Sequence, residues 1–487
     1  MIEQIWYLRV LPEIVLSVFG MLVMLVDPFI DDKEDRKLDI ISVIGVLGAL
    51  WATFYMARPE TGNAFKLEFG DAFFHMVRAD AFSVFFHVVI LMIALCTILM
   101  SHEYLKAHKI RTGEWYALIL LATVGMGLMA SSIELVMIFI AIEISSIATY
   151  ILAGFRRNSA DSTEASLKYF LLGSFATAFF LYGVAMMFGA TSSTNVDVIG
   201  ASLRQGSSPL AYLAVGLMFV GIAFKVSAAP FQIWTPDVYE GAPSPVVAFM
   251  STGPKAAAFA VLLRVLVGTS APNWFWLVWV SAVLSMFIGN LGALIQTNVK
   301  RMLAFSSIAH AGYLLVAFAA MKNSEIAISS AMFYAASYAA MNVGAFAVIT
   351  HFASQGERYT NIEDFAGLGR RSPVIAGVLT VFLLSLIGIP ITGGFFAKFY
   401  VFSAALKSQL IWLTILGVIN SAIAAYYYLR LIVVMYMREP VVDEVLPRVN
   451  FGMAAAMTIC LVATLYLGVF PGRVLEFAQY SARTFLH

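Results

Sequence analysis

Charged residues are scarce in this chain. Asp, Glu, Lys and Arg together make up 12% of its 487 residues, whereas 61% of the residues are hydrophobic. Soluble globular domains carry about 25% charged residues, so this composition excludes an ordinary soluble protein and indicates a polytopic membrane protein. The mean hydropathy of +0.86 agrees with that class. The net charge of +1 gives no indication of nucleic acid, and we expect a lipid bilayer and no nucleic acid as partner.

Cysteine and cofactor motifs are also nearly missing. Cys96 and Cys460 are the two cysteines, and both lie in apolar segments, where small core residues are expected. There is no CxxC or iron–sulfur spacing, no pairing of histidines across segments for haem, and no GxxxxGK[ST] loop. We therefore expect no redox catalytic site, cofactor or metal site in this chain. We expect the energy for transport to come from a partner or from an ion gradient.

Long apolar segments fill the chain from end to end. We predict an all-α polytopic membrane protein with about 14 transmembrane helices, each able to cross a hydrocarbon core of about 30 Å. The first apolar run lacks a basic start and a cleavage site, so we expect it to be a span and no removable signal peptide. The predicted spans are 11–28, 39–57, 80–101, 114–130, 132–155, 163–189, 210–234, 244–268, 274–296, 300–321, 324–350, 373–402, 407–436 and 450–472.

Basic loop residues predict the orientation. The loops after odd-numbered spans, which carry Lys106, Arg156, Arg157, Lys300 and Arg301, hold more Lys and Arg than the loops after even-numbered spans. The positive-inside rule puts the richer loops in the cytoplasm and both termini outside. We expect a multi-pass protein of the bacterial inner (cytoplasmic) membrane.

A weak internal repeat suggests the domain organisation. Shifting the chain by about 163 residues lays YILAGF (150–155) on YLLVAF (313–318) and brings Pro230 near Pro390. The shift pairs the fifth span with the tenth, so the two copies have opposite orientations, as in many transporters. Chance similarity between apolar segments is the alternative. We predict an N-terminal three-helix segment (1–112), a first repeat of helices 4–8 (113–270), a second, inverted repeat of helices 9–13 (271–437), and helix 14 with a tail (438–487).

Three lysines and one glutamate have apolar surroundings inside the predicted spans. An ionised group at the bilayer centre costs at least about 2.5–3.5 kcal/mol, so an intramembrane charge indicates a functional site. A lysine can instead snorkel to the interface, which remains the alternative for each of the three lysines. We predict that these residues line a path for protons: Glu143, Lys225, Lys255 and Lys398.

Helix breakers accompany the three lysines. Pro230 follows Lys225 and frees the carbonyl of Val226, and Pro390 frees the carbonyl of Leu386. Irregular backbone at membrane depth is tolerated only where it is buried in protein or faces water. We therefore predict breaks in helices 7 and 12 that open hydrated half-channels, with the breakers Pro230, Pro254, Pro390, Gly393 and Gly394.

Lysine can release a proton when desolvated and hold it when a carboxylate is near, so Lys225 and Glu143 are predicted to act as a pair. A charged lysine offers no acceptor to a metal cation, which favours protons over sodium. His310 is interpreted either as a relay or as a hydrogen-bonded core residue. Lys168 is interpreted either as an i,i+4 ion-pair partner of Glu164 or as a residue with a role in transport. The remaining polar residues are interpreted as structural or interfacial: Arg264 and Arg430 as snorkelling or structural, and Glu13 and Glu134 as interfacial.

The run AFKVSAAPFQIWTPDVYEGAPSPV resembles the N-type subunits of bacterial respiratory complex I, the counterpart of mitochondrial subunit 2. TNVKRMLAFSSIAHAGYLLVA and SLIGIPITGGFFAKFYVF carry the same likeness, which covers nearly the whole chain. These subunits belong to an antiporter-like family that includes Mrp-type antiporter subunits. M-like members tend to have Glu at the position of Lys398, and L-like members continue into a long lateral helix.

The resemblance implies a proton-translocating subunit of NADH:quinone oxidoreductase, partnered by other membrane subunits, including neighbouring antiporter-like and small ones. It implies that Glu143 partners the input lysine Lys225, that Lys255 is central with His310 on the same axis, and that Lys398 releases protons outside. FMN, iron–sulfur clusters and quinone are then expected in partner subunits. Two alternatives remain: an Mrp-type cation/proton antiporter subunit without redox coupling, which DVYEGAP and neighbouring genes would distinguish, and a scaffold that no longer pumps.

Overall fold

The computed structural model describes residues 3–30, 36–56, 70–206, 208–269, 274–321, 325–354, 357, 360–440 and 448–486. Residues 57 and 324, at the ends of two predicted spans, and residues 270 and 271, at a predicted domain boundary, lie outside these ranges. The α-helices of the described part are α1 Leu11–Val26, α2 Arg36–Met56, α3 Ala81–Ala107, α4 Gly113–Ser131, α5 Leu135–Ala153, α6 Ala160–Thr191, α7 Val196–Gln205, α8 Pro209–Lys225, α9 Trp234–Gly241, α10 Ser244–Met250, α11 Gly253–Gly268, α12 Trp274–Leu294, α13 Val299–Ala320, α14 Glu325–Ala353, α15 Leu368–Arg371, α16 Pro373–Ile387, α17 Gly393–Lys407, α18 Ile411–Met437, α19 Phe451–Val469 and α20 Pro471–Leu486.

Short elements connect the long helices. In the described part of the chain, 3₁₀ helices span Glu3–Val10, Asp27–Phe29 and Ile362–Phe365. The strands β1 (Gly70–Ala72) and β2 (Val77–Ala79) pair antiparallel between α2 and α3. The hairpin is held by Arg78, whose side chain donates to Asp71 at 2.7 Å. The fold is therefore all-helical apart from one small hairpin in the described chain.

The described chain has 12 helical segments long and apolar enough to cross a membrane. Two shorter apolar helices, Pro209–Lys225 and Pro373–Ile387, lie where the predicted spans 210–234 and 373–402 begin. The all-α polytopic class is confirmed, whereas the count of fourteen stays a prediction.

Burial separates a central axis from a surrounding ring. Within Ser244–Gly268, Val299–Ala320 and Ile326–Ala353, 100%, 94% and 89% of the residues in the apolar stretch are buried. The helices α10, α11, α13 and α14 therefore form the centre of the bundle. In the apolar stretches of α1, α2, α6, α18 and α19, only 33% to 39% of the residues are buried. The exposed apolar side chains of these helices suit contact with lipid. Polar residues on the central axis are therefore shielded from lipid by the ring.

Helical structure is interrupted at three places inside this bundle. α8 ends at Lys225, and the chain stays non-helical through Pro230 until α9 begins at Trp234. The segment is anchored to α12, because Ser285 Oγ accepts from Ala229 N at 2.8 Å and Ser281 Oγ donates to Ala229 O at 2.6 Å. The other interruptions separate α10 from α11 and α16 from α17. Irregular backbone inside a membrane requires hydrogen-bond partners for its freed N–H and carbonyl groups, and the two serine hydroxyls supply them here.

Two backbone contacts recur about 165 residues apart. Glu134 pairs with Asn195 just before α5 and α7, and Asn298 pairs with Asn361 just before α13 and a 3₁₀ helix. The flanking hydrogen bonds also match, since Leu135 N donates to Thr194 O at 2.9 Å and Val299 N donates to Thr360 O at 2.7 Å. The same local architecture is thus built twice.

Candidate functional site

Lys225 lies buried beside two tyrosines at the end of α8. Its Nζ donates to Tyr150 Oη at 3.4 Å and lies 5.0 Å and 5.5 Å from the ring centroids of Tyr150 and Tyr169. Aromatic faces stabilise an ammonium that has lost its water. The residue is only 5% exposed, so the snorkelling alternative does not describe it.

Glu143 lies half-buried on α5, two turns before Tyr150 and on the same helix face. Its Oε1 is buried and has no hydrogen-bond partner among the described residues. The hydrogen bond of Lys225 Nζ goes to Tyr150, and the charge of Glu143 acts on Lys225 across a gap. The two residues share one site without direct contact in this arrangement.

Lys255 lies on the central axis, in the first turn of α11. Its ammonium donates to Ser307 Oγ of α13, which also accepts from Tyr338 Oη of α14 at 2.7 Å. Lys255 Nζ also lies 5.7 Å from the centroid of the Tyr239 ring. Three helices therefore meet at one hydroxyl group, and Lys255 is 3% exposed.

His310 lies one turn after Ser307 on α13 and has a polar contact at each ring nitrogen. Nδ1 is 2.7 Å from Tyr334 Oη, and Nε2 is 3.4 Å from Tyr428 Oη. Its ring centroid is 5.1 Å from that of Tyr338, whose hydroxyl reaches Ser307. Because a tyrosine hydroxyl both donates and accepts, these contacts are compatible with either imidazole tautomer.

Lys398 lies on α17, and its side chain bridges the interruption between α16 and α17. Nζ donates to Leu386 O at 3.1 Å, Ile387 O at 2.8 Å and Ser421 Oγ at 2.9 Å. It lies 5.0 Å from the centroid of the Tyr313 ring, which in turn is 5.6 Å from the ring of His310. Lys398 is 6% exposed, so it too is buried in protein.

A cavity of about 10 Å³ lies between Lys255 and His310, walled by Ser307, Tyr334 and Tyr338 among others. That volume accommodates about one water molecule, and the walls offer it hydroxyl and imidazole partners. Lys255, His310 and Lys398 are thus joined by a series of hydroxyl groups and rings along the central axis.

The predicted breakers occupy the three interruptions. Pro230 and Pro390 lie between α8 and α9 and between α16 and α17, and Pro254 lies in the first turn of α11. Gly393 and Gly394 begin α17. A Cβ on Gly394 would lie 1.8 Å from Ser385 O, so only glycine lets α17 start this close to α16.

Three other predicted residues have structural contacts. Lys168 Nζ pairs with Glu164 at 2.7 Å, as the spacing predicted, and also with Asp237 at 2.6 Å. Glu134 caps α5 by accepting from Met137 N at 2.6 Å. Arg430 donates to Leu294 O at 3.1 Å and to the carbonyl of Gln296.

Three buried ion-pairing contacts were missed or misjudged from the sequence. Glu13, predicted to be interfacial, is 5% exposed, and its Oε1 lies 2.6 Å from His87 Nε2, because α1 and α3 both pack against α4, where Gly127 has no side chain between the two residues. The snorkelling alternative for Arg264 is wrong as well. Its guanidinium is 1% exposed and binds both carboxylate oxygens of Asp80, at 3.0 Å and 2.9 Å.

The third contact centres on Glu357. Glu357 accepts from Lys300 Nζ at 3.0 Å, from Tyr104 Oη at 2.8 Å and from Ser244 N at 2.9 Å. Lys300 also donates to Ala242 O at 2.6 Å, within the WTPDVYEGAP segment (234–243). Each of these contacts has a sequence signal in the form of a single ionisable residue inside or next to an apolar run, as in FFHVV for His87 and LLRVL for Arg264. No sequence pattern, however, indicated which residue would be the partner.

Comparisons with known proteins identify related chains. The profile of one family, described as NADH:quinone oxidoreductase/Mrp antiporter, transmembrane, matches residues 132–424, more than half of the chain. NADH-quinone oxidoreductase subunit N 2 of Koribacter versatilis is 61% identical over 485 residues, covering 99% of this chain and 98% of that protein.

Solved structures give the same picture. A chain of respiratory complex I from Thermus thermophilus has a TM-score of 0.80 at 34% identity, covering 96% of this chain and 99% of that one. A chain of the Mrp complex from Dietzia also has a TM-score of 0.80, but at 20% identity, with 97% of each chain covered. The second likeness concerns the fold alone.

Proposed function

We propose that this chain, which belongs to the NADH:quinone oxidoreductase/Mrp antiporter transmembrane family, is the N-type antiporter-like membrane subunit of a respiratory NADH:quinone oxidoreductase. It moves protons from the cytoplasm to the outside of a bacterial inner membrane, as a multi-pass subunit among other membrane subunits. The Mrp-type alternative is supported only by fold similarity, whereas the relative at 61% identity is a complex I subunit by name.

One observation carries the proposed mechanism: the ionisable groups inside the bundle are joined by groups that can exchange protons. Lys255 reaches Ser307 and through it Tyr338, whose ring contacts His310. Tyr313 then lies between His310 and Lys398. Protons move between hydroxyl, imidazole and amine groups through hydrogen bonds, and the small cavity lined by Lys255, Ser307 and His310 accommodates about one water molecule that would complete this part of the path. Tyr313 contacts His310 and Lys398 through its ring, so the step from His310 to Lys398 requires water.

The input end is the site of Glu143, Tyr150 and Lys225. A carboxylate near a buried ammonium stabilises its charge, and moving that carboxylate away makes the proton easier to lose. In the present arrangement Lys225 contacts Tyr150 and not Glu143. We assign this to the separated state of the pair, from which Lys225 passes its proton toward Lys255.

The output end is Lys398. The break at Pro390 removes a backbone donor, and the freed carbonyl of Leu386 becomes an acceptor for the Lys398 ammonium. The break thus supplies a polar group that a continuous helix would keep for itself. We propose that the charged form of Lys398 waits here until release to the outside.

The inverted repeat explains how input and output face opposite sides of the membrane. Support comes from the bridges Glu134–Asn195 and Asn298–Asn361, which have matching neighbours and hydrogen bonds. A shift of 163 residues aligns Lys225 with Gly388, and a Cβ on Gly388 would lie 3.1 Å from Lys398 Cδ. This proximity supports a correspondence between Lys398 and Lys225 in the two copies.

We place the redox chemistry in partner subunits, with FMN, iron–sulfur clusters and quinone bound there. This chain would contribute transport, and the enzyme activity would belong to the complex. Within the complex, electron transfer would move Glu143 or its surroundings and so set the proton affinity of Lys225. Electron transfer in the partner subunits would thus drive proton transport through this chain without a nucleotide or cofactor bound to the chain itself.

The test is Lys255→Ala in the native complex, with NADH oxidation and proton pumping measured in the same membrane vesicles. Loss of the central lysine should lower both activities several-fold while the other subunits still co-purify. Lys407→Ala is the control, because Lys407 is exposed and ends the same helix that carries Lys398. Undiminished pumping by Lys255→Ala would refute the proposed path, and co-purification without redox subunits would refute the assignment to complex I.

A further inference from the structure

A basic cavity of about 700 Å³ opens between the connections that follow α1, α3 and α5. The loop charges place these connections on the cytoplasmic side. Two carboxylates, Asp27 and Glu114, share the cavity with four permanently charged cations. The cations are Lys109, Arg111, Arg156 and Arg157. The cavity therefore favours an anion.

A second, apolar cavity of about 580 Å³ lies between α5 and α6 and shares a lining residue with the first. Four apolar side chains on its walls are between 49% and 56% exposed, and a lipid-facing groove is the environment that suits them. They are Ile147, Ile151, Leu167 and Phe170. The backbone of this groove is fixed by Ser166 Oγ, which donates to Tyr150 O at 2.8 Å.

Arg157 lines both cavities. Its side chain is 80% exposed and pairs with Glu114 at 3.2 Å. An exposed ion pair contributes about 1 kcal/mol or less, so this guanidinium can leave Glu114 for a better anion. A phosphate is such an anion, since arginine binds it through two parallel hydrogen bonds.

We propose that the two cavities form one binding site for an anionic phospholipid, with the phosphate in the basic cavity and an acyl chain in the groove between α5 and α6. Basic pockets on the cytoplasmic side of membrane helices suit anionic headgroups. A soluble phosphate compound would use the basic cavity and leave the groove empty. The continuity of the two cavities at Arg157 therefore selects the lipid.

The site adjoins the input end of the proton path. Tyr150 lines the groove, and its hydroxyl accepts from Lys225 Nζ. An acyl chain in the groove would cover the lipid side of Tyr150 and keep water away from it. Binding of the lipid itself rests on the two cavities and not on the proposed proton path.

The experiment uses the purified whole complex in phosphatidylcholine vesicles that contain phosphatidylglycerol with a photoreactive acyl chain. After illumination, mass spectrometry should place adducts on peptides of α5 and α6. Unlabelled phosphatidylglycerol should reduce them, whereas phosphatidylcholine and inorganic phosphate should not. Each surface cation adds about 1 kcal/mol to the attraction, so Arg157→Gln and Arg111→Gln should each weaken binding about fivefold.

Arg438→Gln is the matched control, because Arg438 is also an exposed arginine, 56% accessible and paired with Glu363, but lies on α18's end away from both cavities. It should leave the α5–α6 adducts unchanged. Three results would overturn the proposal: adducts spread evenly over all lipid-facing helices, equal competition by phosphatidylcholine, or equal labelling of Arg157→Gln. An absence of lipid adducts on α5 and α6 would overturn it as well, since another component, such as a partner subunit, would then cover the groove. Arg111→Gln keeps the test valid if the Arg157 variant fails to assemble.

Discussion

The ammonium of Lys398 lies 3.1 Å from the carbonyl oxygen of Leu386, the carbonyl that Pro390 leaves without a helical donor. The break therefore solvates the lysine with backbone, because a carbonyl that is no longer bonded in a helix accepts a hydrogen bond from the charged amine. This contact supplies part of the free energy that a buried ammonium loses with its water. The helix break and the buried lysine thus satisfy each other's hydrogen-bonding groups.

Lys398→Ala should block release to the outside and slow both proton pumping and NADH oxidation several-fold, since tight coupling makes each step wait for the other. Both rates should be measured in membrane vesicles that contain the assembled complex. Lys407→Ala, on the same helix, should behave as wild type. Normal pumping and oxidation in Lys398→Ala would remove this residue from the path.

Glu143→Gln should strongly impair coupled turnover, because the neutral amide cannot raise the proton affinity of Lys225. The measurement is NADH-driven pumping in vesicles, with assembly checked by the yield of purified complex. Glu164→Gln is the control, since Glu164 is 64% exposed and pairs with Lys168 near the start of α6. Full pumping in Glu143→Gln would contradict the proposed pairing.

The hydroxyl link between Lys255 and His310 can be removed with small changes. Ser307→Ala and Tyr338→Phe each delete one oxygen of the contact between Lys255, Ser307 and Tyr338, and each should lower pumping with little loss of assembled complex. Ser330→Ala is the control, because its hydroxyl donates to the carbonyl of Ile326 on its own helix. Equal pumping rates for all three variants would show that protons do not pass through this link.

The Glu13–His87 pair should matter for stability. His87 Nδ1 lies 2.6 Å from Ser83 O and must donate there, so Nε2 and Glu13 share whatever proton lies between them. Glu13→Leu leaves the imidazole buried without its partner, which costs about 3–5 kcal/mol when a buried charge is left unpaired. The midpoint of thermal inactivation should fall clearly in Glu13→Leu and recover in Glu13→Leu/His87→Leu, in which both polar groups are gone. A double variant no more stable than Glu13→Leu would argue against a pair.

Acid should weaken the contact between Glu357 and Lys300. Burial by itself raises the pKa of Glu357, but the charge of Lys300 and hydrogen bonds from Lys300, Ser244 and Tyr104 outweigh it, so the pKa is lower than that of a free glutamate. The unfolded chain has the ordinary pKa of about 4.3, so this contribution is fully present above that pH and is lost as the pH falls through the lower folded value.

Thermal inactivation measured from neutral pH into this acid range should therefore show a steeper loss in the wild type than in Glu357→Gln. The variant should be less stable than wild type at neutral pH, where the charged contact is complete. Glu363→Gln, which alters an exposed pair with Arg438, should retain the wild-type pH dependence. Identical pH profiles of Glu357→Gln and wild type would show that Glu357 does not titrate in this range.

Sequence alone determined the class of the protein, the approximate spans and the candidate proton residues. Hydrophobicity and desolvation cost are properties of single residues, so a lysine such as Lys255 inside an apolar segment is visible without any knowledge of its neighbours. The same holds for Pro230 and Pro390, because a missing N–H acts on the backbone locally. The i,i+4 contact between Glu164 and Lys168 was predictable for the same reason.

Tertiary structure decided which residues meet. Glu13 and His87 are 74 positions apart and come together only because α1 and α3 both pack against α4, which makes a predicted interfacial carboxylate a buried partner. Packing also left Lys225 against Tyr150 and not Glu143, and placed Ser307 between Lys255 and Tyr338. Helices that are apolar around most of their circumference carry little information about which face meets which neighbour, so these contacts follow from three-dimensional packing and not from the order of residues.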